Sequence, residues 1–579
     1  MFLPATIDEI KKLKWSKPDI ILVSGDAYID SPFMGVSIIG NYLSAKGFKT
    51  AIIPQPDING ADIAALGEPR LFWGVSAGAM DSFVSNWTAL NKFRNEDDLT
   101  PGGINNRRPN RASIVYSNLI RRFFKNTKPI VLGGLEASLR RISHYDFQDN
   151  SIRRSLLFDA KADILIYGMG EKAVLELAQA LNEGRNWQDI KGLCFISKEK
   201  KEKALEINSF EECLQNKDVF FNSFKLFYEN AVSANPQILL QKHSERYLIQ
   251  NPPQPPLTQK ELDAVYDLDF NRQVHPHCAA LGAVKAQETV KFSITSHRGC
   301  FGECNFCSIA VHQGKQTISR SRSSIIKEAK KIAALKDFKG CISDIGGPSA
   351  NMFGCACSQN KNAGSCRDKR CLFPDICKNL VFGHKEQIEL FSEVSKIDRV
   401  KKVFVSSGIR HDLIIADKEC GAMWLDKVLQ NHTSGQLKIA PEHINGDVLS
   451  FMGKPKAADL FDFLKLFEEM NKKTAARGIP LKAERPSFKR FLTYYFIAAH
   501  PGCSGKEMGE LKLWTDRNLK FTPQQVQIFT PLPSTWSAAM YFAEKDLQGN
   551  KIFVEKDRNE KQKQKRLITG DNKKGSWDF

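Results

Sequence analysis

Short apolar runs alternate with amphipathic stretches along the first third of the chain. Asp19-Ile20-Ile21-Leu22-Val23-Ser24 is unbroken by charge after its first residue and ends in Gly25-Asp26. Runs of this kind read as strands buried on both faces. Met34 to Lys46 has helical spacing and stops at Gly47. Thr50 to Pro54, Leu71 to Ser76, Pro129 to Leu132 and Asp163 to Tyr167 repeat the strand pattern, with room for helices between them. This alternation predicts an α/β domain over residues 1–196, a doubly wound parallel sheet of Rossmann-like type. Glycines follow the strands at Gly78, Gly133-Gly134 and Gly168-Met169-Gly170-Glu171. Open sheets bind ligands at the carboxyl ends of their strands, although an ordinary turn also selects glycine.

The pattern lapses over 197–285. Lys198 to Lys203 is a charge run and Asn251-Pro252-Pro253-Gln254-Pro255-Pro256 is a proline-rich connector, so this stretch reads as a linker or extension. Alternation resumes over 286–548. Strands are expected at Val290–Thr295, Cys341–Ile345, Val403–Ser406, Leu437–Ala440, Phe491–Ala498 and Val526–Phe529. The clearest helices fall at Ser323–Leu335, Leu460–Lys473 and Lys506–Asn518. Six such units predict a partial (β/α)6 barrel, whose chemistry belongs at the carboxyl ends of its strands. The last stretch, 549–579, is rich in Lys, Gln, Asn and Gly and reads as a basic disordered tail.

Composition narrows the function. The chain has 579 residues, 42% of them hydrophobic. It lacks an apolar run of the roughly 18 residues a membrane span needs, so no membrane partner is expected. Asp8 and Glu9 follow the first residues closely, unlike a signal peptide, and a cytoplasmic protein is expected. Cysteines in a reducing compartment point to metal or redox chemistry rather than to disulfides. There are 14; three precede residue 300, two follow residue 377, and the rest crowd between. A net charge of +18 makes an anionic partner such as RNA a candidate. Arg107-Arg108-Pro109-Asn110-Arg111 and Arg320-Ser321-Arg322 are the arginine-rich pieces that would contact phosphates, a solvated surface being the ordinary alternative.

Directly after the first barrel strand stands His297-Arg298-Gly299-Cys300-Phe301-Gly302-Glu303-Cys304-Asn305-Phe306-Cys307. Cys300, Cys304 and Cys307 are spaced C-x3-C-x2-C. Thiolates are soft ligands suited to iron–sulfur clusters. Three of them hold three irons of a [4Fe–4S] cluster and leave the fourth open. A structural zinc would want four protein ligands, with His297 or His312 completing the set.

This motif in this position resembles the radical S-adenosylmethionine (SAM) superfamily. The resemblance covers about residues 285–545. It implies that the open iron chelates the amino and carboxylate groups of SAM. One electron then cleaves SAM to methionine and a 5′-deoxyadenosyl radical, which takes hydrogen from a substrate. It implies an electron donor of flavodoxin or ferredoxin type. Phe306 matches the aromatic position near the adenine. Asp344-Ile345-Gly346-Gly347-Pro348 stands where the family often has Gly-Gly-Glu for the SAM amino group, with Pro348 in place of the acid. Gly346 and Gly347 are therefore candidate SAM contacts, and Glu442 in Pro441-Glu442-His443 is a candidate for the ribose. The whole chain is similar to the YgiQ-type radical SAM proteins through Gly25-Asp26-Ala27-Tyr28, Gly133 to Ser138 and Gly346 to Met352. That resemblance implies no settled substrate.

A cysteine-rich insert spans 352–384. Cys357, Cys366, Cys371 and Cys377 supply four candidate ligands, with Cys355 or His384 as a spare. The segment has little apolar material for a core, so a metal staple is plausible. A second iron–sulfur cluster, a zinc and unligated thiols all fit. Radical SAM enzymes with a doubly wound N-terminal domain often bind cobalamin through Asp-x-His-x-x-Gly. The nearest match, Asp30-Ser31-Pro32-Phe33-Met34-Gly35, has no histidine, and cobalamin is not supported. The sequence thus predicts a radical SAM enzyme of unassigned substrate. A metal-stabilised RNA-binding protein and a radical SAM enzyme that modifies RNA are the alternatives.

Overall fold

A computed structural model describes residues 2–570 apart from 234, 360–365, 367–368, 477–489 and 520. The N-terminal half is built on a nine-stranded sheet. Its first five strands are parallel, in the spatial order Thr50–Pro54, Ile20–Ser24, Phe72–Ser76, Ile130–Gly133, Ile164–Ile166. Ile20, Ile21, Val23, Phe72, Trp73 and Ile130 are fully or almost fully buried, as expected of strands covered by helices on both faces. The chain order 2-1-3-4-5 reverses direction between Ile20–Ser24 and Phe72–Ser76, which places a switch point at their carboxyl ends. There the backbone is tight: a Cβ on Gly25 would lie 2.0 Å from the carbonyl oxygen of Ala77.

The sheet does not stop at residue 196. Leu193–Ser197 and Arg246–Gln250 join it antiparallel, followed by Leu239–His243 and Leu205–Ile207. The stretch 197–285, expected as a linker, therefore contributes three strands and the helix Lys217–Val232. Its phenylalanines Phe220, Phe221, Phe224 and Phe227 are buried in the main core, which a connector would not provide. The proline-rich piece does lie outside regular structure.

The second half is the expected partial barrel. Ser293–Thr295 pairs with Asp344–Gly346, and Cys341–Ile342 with Lys402–Val403, both parallel. A parallel bridge between Ile409 and Ile439 leads on to Gln436–Glu442, which pairs with Phe491–Ala498 and then Val526–Ile528.

The expected tail is corrected as well. Arg558–Thr569 is a helix capped by Asp557 and packed on the barrel. Polar composition misled the reading: Lys561, Gln564 and Ile568 form a narrow buried face, and Lys561 donates to the Tyr541 hydroxyl at 2.8 Å. Residues 571–579 lie outside the described residues. No helix among the described residues is long and apolar enough to cross a membrane.

Candidate functional site

The cysteine loop is fixed at both ends. His297–Arg298 pairs antiparallel with Ile318–Ser319. Gly299 has φ +79°, and a Cβ there would meet the Gln316 carbonyl oxygen at 1.8 Å, so only glycine fits before Cys300. Within the loop, Asn305 donates from its backbone to Met452 at 2.9 Å and from its side chain to Phe451 at 2.8 Å. Glu303 accepts from the Tyr228 hydroxyl at 2.5 Å and from Lys315 at 2.7 Å.

The thiols border one space. A Cβ on Gly302 would lie 3.2 Å from Cys300 Sγ and 3.6 Å from Cys304 Sγ. The Gly302 amide donates to Cys300 Sγ at 3.4 Å, and Arg410 Nη1 donates to Cys304 Sγ at 3.7 Å. Burial and the neighbouring Cys304 raise the Cys300 thiol, while Arg410 opposes them. Burial, with Cys304 and Cys300 beside it, pushes Cys307 up to about 12. Iron binding must displace these protons, and the Arg410 guanidinium offsets the charge that results.

Among the described residues, no three His, Cys, Asp or Glu side chains are placed to hold a single metal ion. Each histidine that could complete a zinc shell has one ring nitrogen bonded, Nδ1 of His297 to Ser296 Oγ at 2.9 Å and Nδ1 of His312 to Ser138 Oγ at 2.9 Å. A cluster makes a different demand, because each thiolate takes its own iron. Three soft thiols around one space, with a cation behind them, fit a four-iron cluster with one corner free of protein.

A cavity of about 490 Å³ joins this loop to the switch point of the N-terminal sheet. Ser24, Asp26, Ser76, Gly78 and Gly133 line it from the sheet, and Thr295, His297, Arg298, Asp344 and Ser407 from the barrel. Gly346 and Gly347 also line it. Three buried polar atoms of its wall have no hydrogen-bond partner: His297 Nε2, Arg298 Nη2 and Glu171 Oε2. Such atoms mark a place where a ligand has bonds to make. His297 is neutral, its pKa lowered to about 3 by burial.

Asp344 and Ser407 were not singled out by the sequence reading. Asp344 accepts from the Ser406 amide at 2.8 Å, from the Ser407 amide at 3.2 Å and from the Ser407 hydroxyl. Burial raises its pKa against these bonds. Its place two residues before Gly346, at a strand end, was the available signal. Phe306, Glu442 and the three cysteines are not among the residues lining the cavity, which the loop reaches through His297, Arg298 and Ser308. Phe306 packs on the core with its ring 6.2 Å from that of His500. Glu442 is buried at φ +67° with Lys454 3.9 Å away, and burial raises its pKa. Asp30 is spent on Ser37, Asn41 and Asn271, while Pro32, Phe33 and Met34 line the cavity.

Four arginines of the two arginine-rich pieces are paired with acids. Arg108 is buried against Asp26 at 2.5 Å and Asp97 at 3.2 Å, and Arg111 pairs with Asp146 and Asp149. Arg320 is buried on Glu328, and Arg322 pairs with Glu389 and Glu393. The charges of Arg108 and Arg320 are spent inside the fold, whereas the pairs of Arg322 and of Arg111 with Asp149 lie at the surface.

In the insert, Cys371 lies within electrostatic reach of Cys377, Cys357 and Cys366, and burial chiefly pushes its thiol up to about 12. Arg370, next to it, donates to the Glu303 carbonyl at 3.2 Å and to Asn305 Oδ1 at 2.8 Å. The insert is thus clamped onto the loop of Cys304 and Cys307.

A family model described as Radical SAM N-terminal matches residues 2–293. A UPF0313 protein of Fusobacterium nucleatum is 49% identical over 571 residues, 98% of each chain. The chain belongs to the UPF0313 family. A UPF0313 protein of Thermotoga neapolitana is 46% identical over 573 residues, again 98% of each chain. With the matching family model, these relatives place the chain in the radical SAM superfamily. The matched segment runs through 197–285, in agreement with the strands that this stretch adds to the N-terminal sheet. Among solved structures, the chain is similar to TsrM from Kitasatospora setae, a radical SAM methyltransferase with cobalamin and a [4Fe–4S] cluster bound. The TM-score is 0.47 and the identity 14%, over 90% of this chain and 74% of that one. OxsB, a cobalamin-dependent SAM radical enzyme, gives a TM-score of 0.48 at 11% identity, over 91% of this chain and 55% of that one.

Proposed function

We propose that this UPF0313 protein is an enzyme that binds a [4Fe–4S] cluster on Cys300, Cys304 and Cys307 and cleaves SAM reductively. The observation that carries the reading is three thiols gathered on a loop that only glycine can enter, flanked on both sides by His297, Arg298 and Ser308, which line a cavity walled by unpartnered polar atoms. Bound there, the cluster supplies an open iron for the methionine end of SAM and the electron that releases a 5′-deoxyadenosyl radical. The protein's own groups do the rest. Gly346 and Gly347 line the cavity as bare backbone for the methionine end of SAM, and the absence of a Cβ on Gly347 seats the His297 ring, which a Cβ would strike at 2.5 Å. Asp344, beside them, supplies the acid that Pro348 lacks and accepts from the SAM amino group. Arg410 holds the cysteine loop against the charge of the thiolates. The rest of the cavity, toward Ser24 and Gly78, takes the substrate and shields the radical from water.

The electron comes from a reductant of flavodoxin or ferredoxin class. The net charge of +18 supports an anionic substrate, RNA included. That charge acts through side chains other than Arg108, Arg111, Arg320 and Arg322.

Anaerobic protein reduced with dithionite is expected to form 5′-deoxyadenosine from SAM, and Cys304→Ala is expected to lose both the cluster of this loop and the product. Cluster-replete protein that binds SAM and yields no 5′-deoxyadenosine would refute the reading.

A further inference from the structure

The insert brings its cysteines together from separate turns. Ala356–Cys357 pairs with Leu380–Val381, so Cys357 stands opposite Leu380. The Leu380 amide donates to the Cys377 carbonyl at 2.9 Å, and the Cys377 amide to that of Cys371 at 2.8 Å. Three of the four cysteines are thereby tied into one short backbone network. Cys366 joins them through its electrostatic effect on Cys371.

The two spare donors drop out. His384 has both ring nitrogens engaged, with Asp417 Oδ2 at 2.8 Å and Asn351 Nδ2 at 3.3 Å. Cys355 is buried with Met352 and Leu372 under the apolar cluster, 3.9 Å from the Asn351 carbonyl. What remains is a set of four partly exposed thiols with no histidine or carboxylate among them.

We propose that Cys357, Cys366, Cys371 and Cys377 hold a second [4Fe–4S] cluster, with a cysteine on every iron. Soft thiolates select iron–sulfur clusters or zinc, and geometry divides the two. Zinc gathers four sulfurs at about 2.3 Å around one ion. Among the described residues no such single-ion group is formed. A cubane asks only that each thiol reach its own corner. The site also has the setting of a cluster: Cys371 packs against a buried apolar group of Phe301, Leu372, Leu380 and Leu413, which Cys300 of the first loop also touches. Arg370 then locks the insert to the first loop through Glu303 and Asn305. The small apolar core of the insert, Met352, Cys355, Leu372 and Leu380, is reinforced by its metal. This assignment is independent of whether SAM is cleaved.

Iron and acid-labile sulfide are counted in full-length protein reconstituted anaerobically with ferrous iron and sulfide. Wild type is expected to carry about eight irons and eight sulfides per chain. The variant Cys300→Ser/Cys304→Ser/Cys307→Ser leaves the insert untouched and is expected to keep about four, with the paramagnetic resonance signal of a reduced four-iron cluster. Cys371→Ser/Cys377→Ser is expected to lose the other four. The proposal is overturned if wild type holds about four irons, if the first variant holds none or about two, or if zinc is its metal. Loss of 5′-deoxyadenosine formation with eight irons retained would strike the SAM reading and leave this one standing.

Discussion

Arg298 donates from Nη1 to Glu171 Oε1 at 2.6 Å across the junction between the N-terminal sheet and the barrel. Both side chains are buried, 7% and 2% exposed. Arg298 stands two residues before Cys300, and Glu171 closes the glycine turn that follows the fifth strand of the sheet. One ion pair therefore sets the cysteine loop against the switch-point face and forms part of the cavity wall. Tyr266 adds a hydroxyl at 3.1 Å from Arg298 Nε.

Removing one member of this pair strands the other charge in a buried site. Arg298→Met is expected to cost about 3–5 kcal/mol, read as a lower urea midpoint with an unchanged slope. Replacing both, as Arg298→Met with Glu171→Leu, is expected to recover much of that loss while iron loading stays low. Full iron loading in the doubly substituted protein would show that the pair does not position the loop.

Asp344 replaces the acid missing at position 348 in the proposed SAM contact. Asp344→Asn keeps the shape and the bonds from Ser406 and Ser407 but removes the charge. SAM binding, followed by calorimetry on cluster-loaded protein, is expected to weaken about tenfold, equivalent to about 1.4 kcal/mol. Glu442→Gln, outside the cavity lining, is expected to leave SAM affinity within about threefold. The opposite ranking would move the contact from Asp344 to Glu442.

The strands with unbroken apolar runs were legible from the sequence because burial on both faces leaves one pattern, as at Ile20–Ser24 and Phe72–Ser76. The glycines behind them marked the carboxyl ends of the strands, while the switch point itself emerged from the strand order. The cysteine loop was legible because three ligands lie within eight residues. The contributions of 197–285 and 558–569 were not, since Arg246–Gln250 and Arg558–Thr569 each bury a narrow face and keep polar residues elsewhere. Asp344 escaped notice for a related reason: its role depends on Ser406 and Ser407, which lie in the loop after the strand Lys402–Val403.

The C-terminal helix has a checkable weight. Gln564 Oε1 accepts from the Ala499 amide at 2.9 Å, just past the strand Phe491–Ala498, and Ile568 is fully covered. A chain ending at residue 557 leaves that amide unpaired and the Ile568 surface lost. It is expected to be less stable by about 3 kcal/mol or more in urea unfolding. Unchanged stability would mean that the helix rests on the barrel without supporting it.

Acid sensitivity follows from the buried imidazoles. His297, His411, His443 and His500 are 3% exposed or less, and burial is the leading cause that lowers their pKa values to about 3 or 4. Their ordinary value is 6.5. The unfolded chain therefore takes up protons on these rings below about pH 6.5 while the folded chain keeps them neutral. The state that binds more protons gains as pH falls, so stability is fully present above about pH 6.5 and declines toward pH 4. At pH 5 each ring contributes a loss of about 2 kcal/mol. Melting temperatures measured from pH 7.5 to pH 5 are expected to fall steadily below pH 6.5. His144, His243 and His312 are lowered in the same way, so His500→Gln, which keeps a partner for Ser537 in place of Nε2 at 2.7 Å, is expected to flatten the slope by about a seventh. A profile level down to pH 5 would show that these rings are protonated inside the fold, against the neutral His297 that faces the cavity.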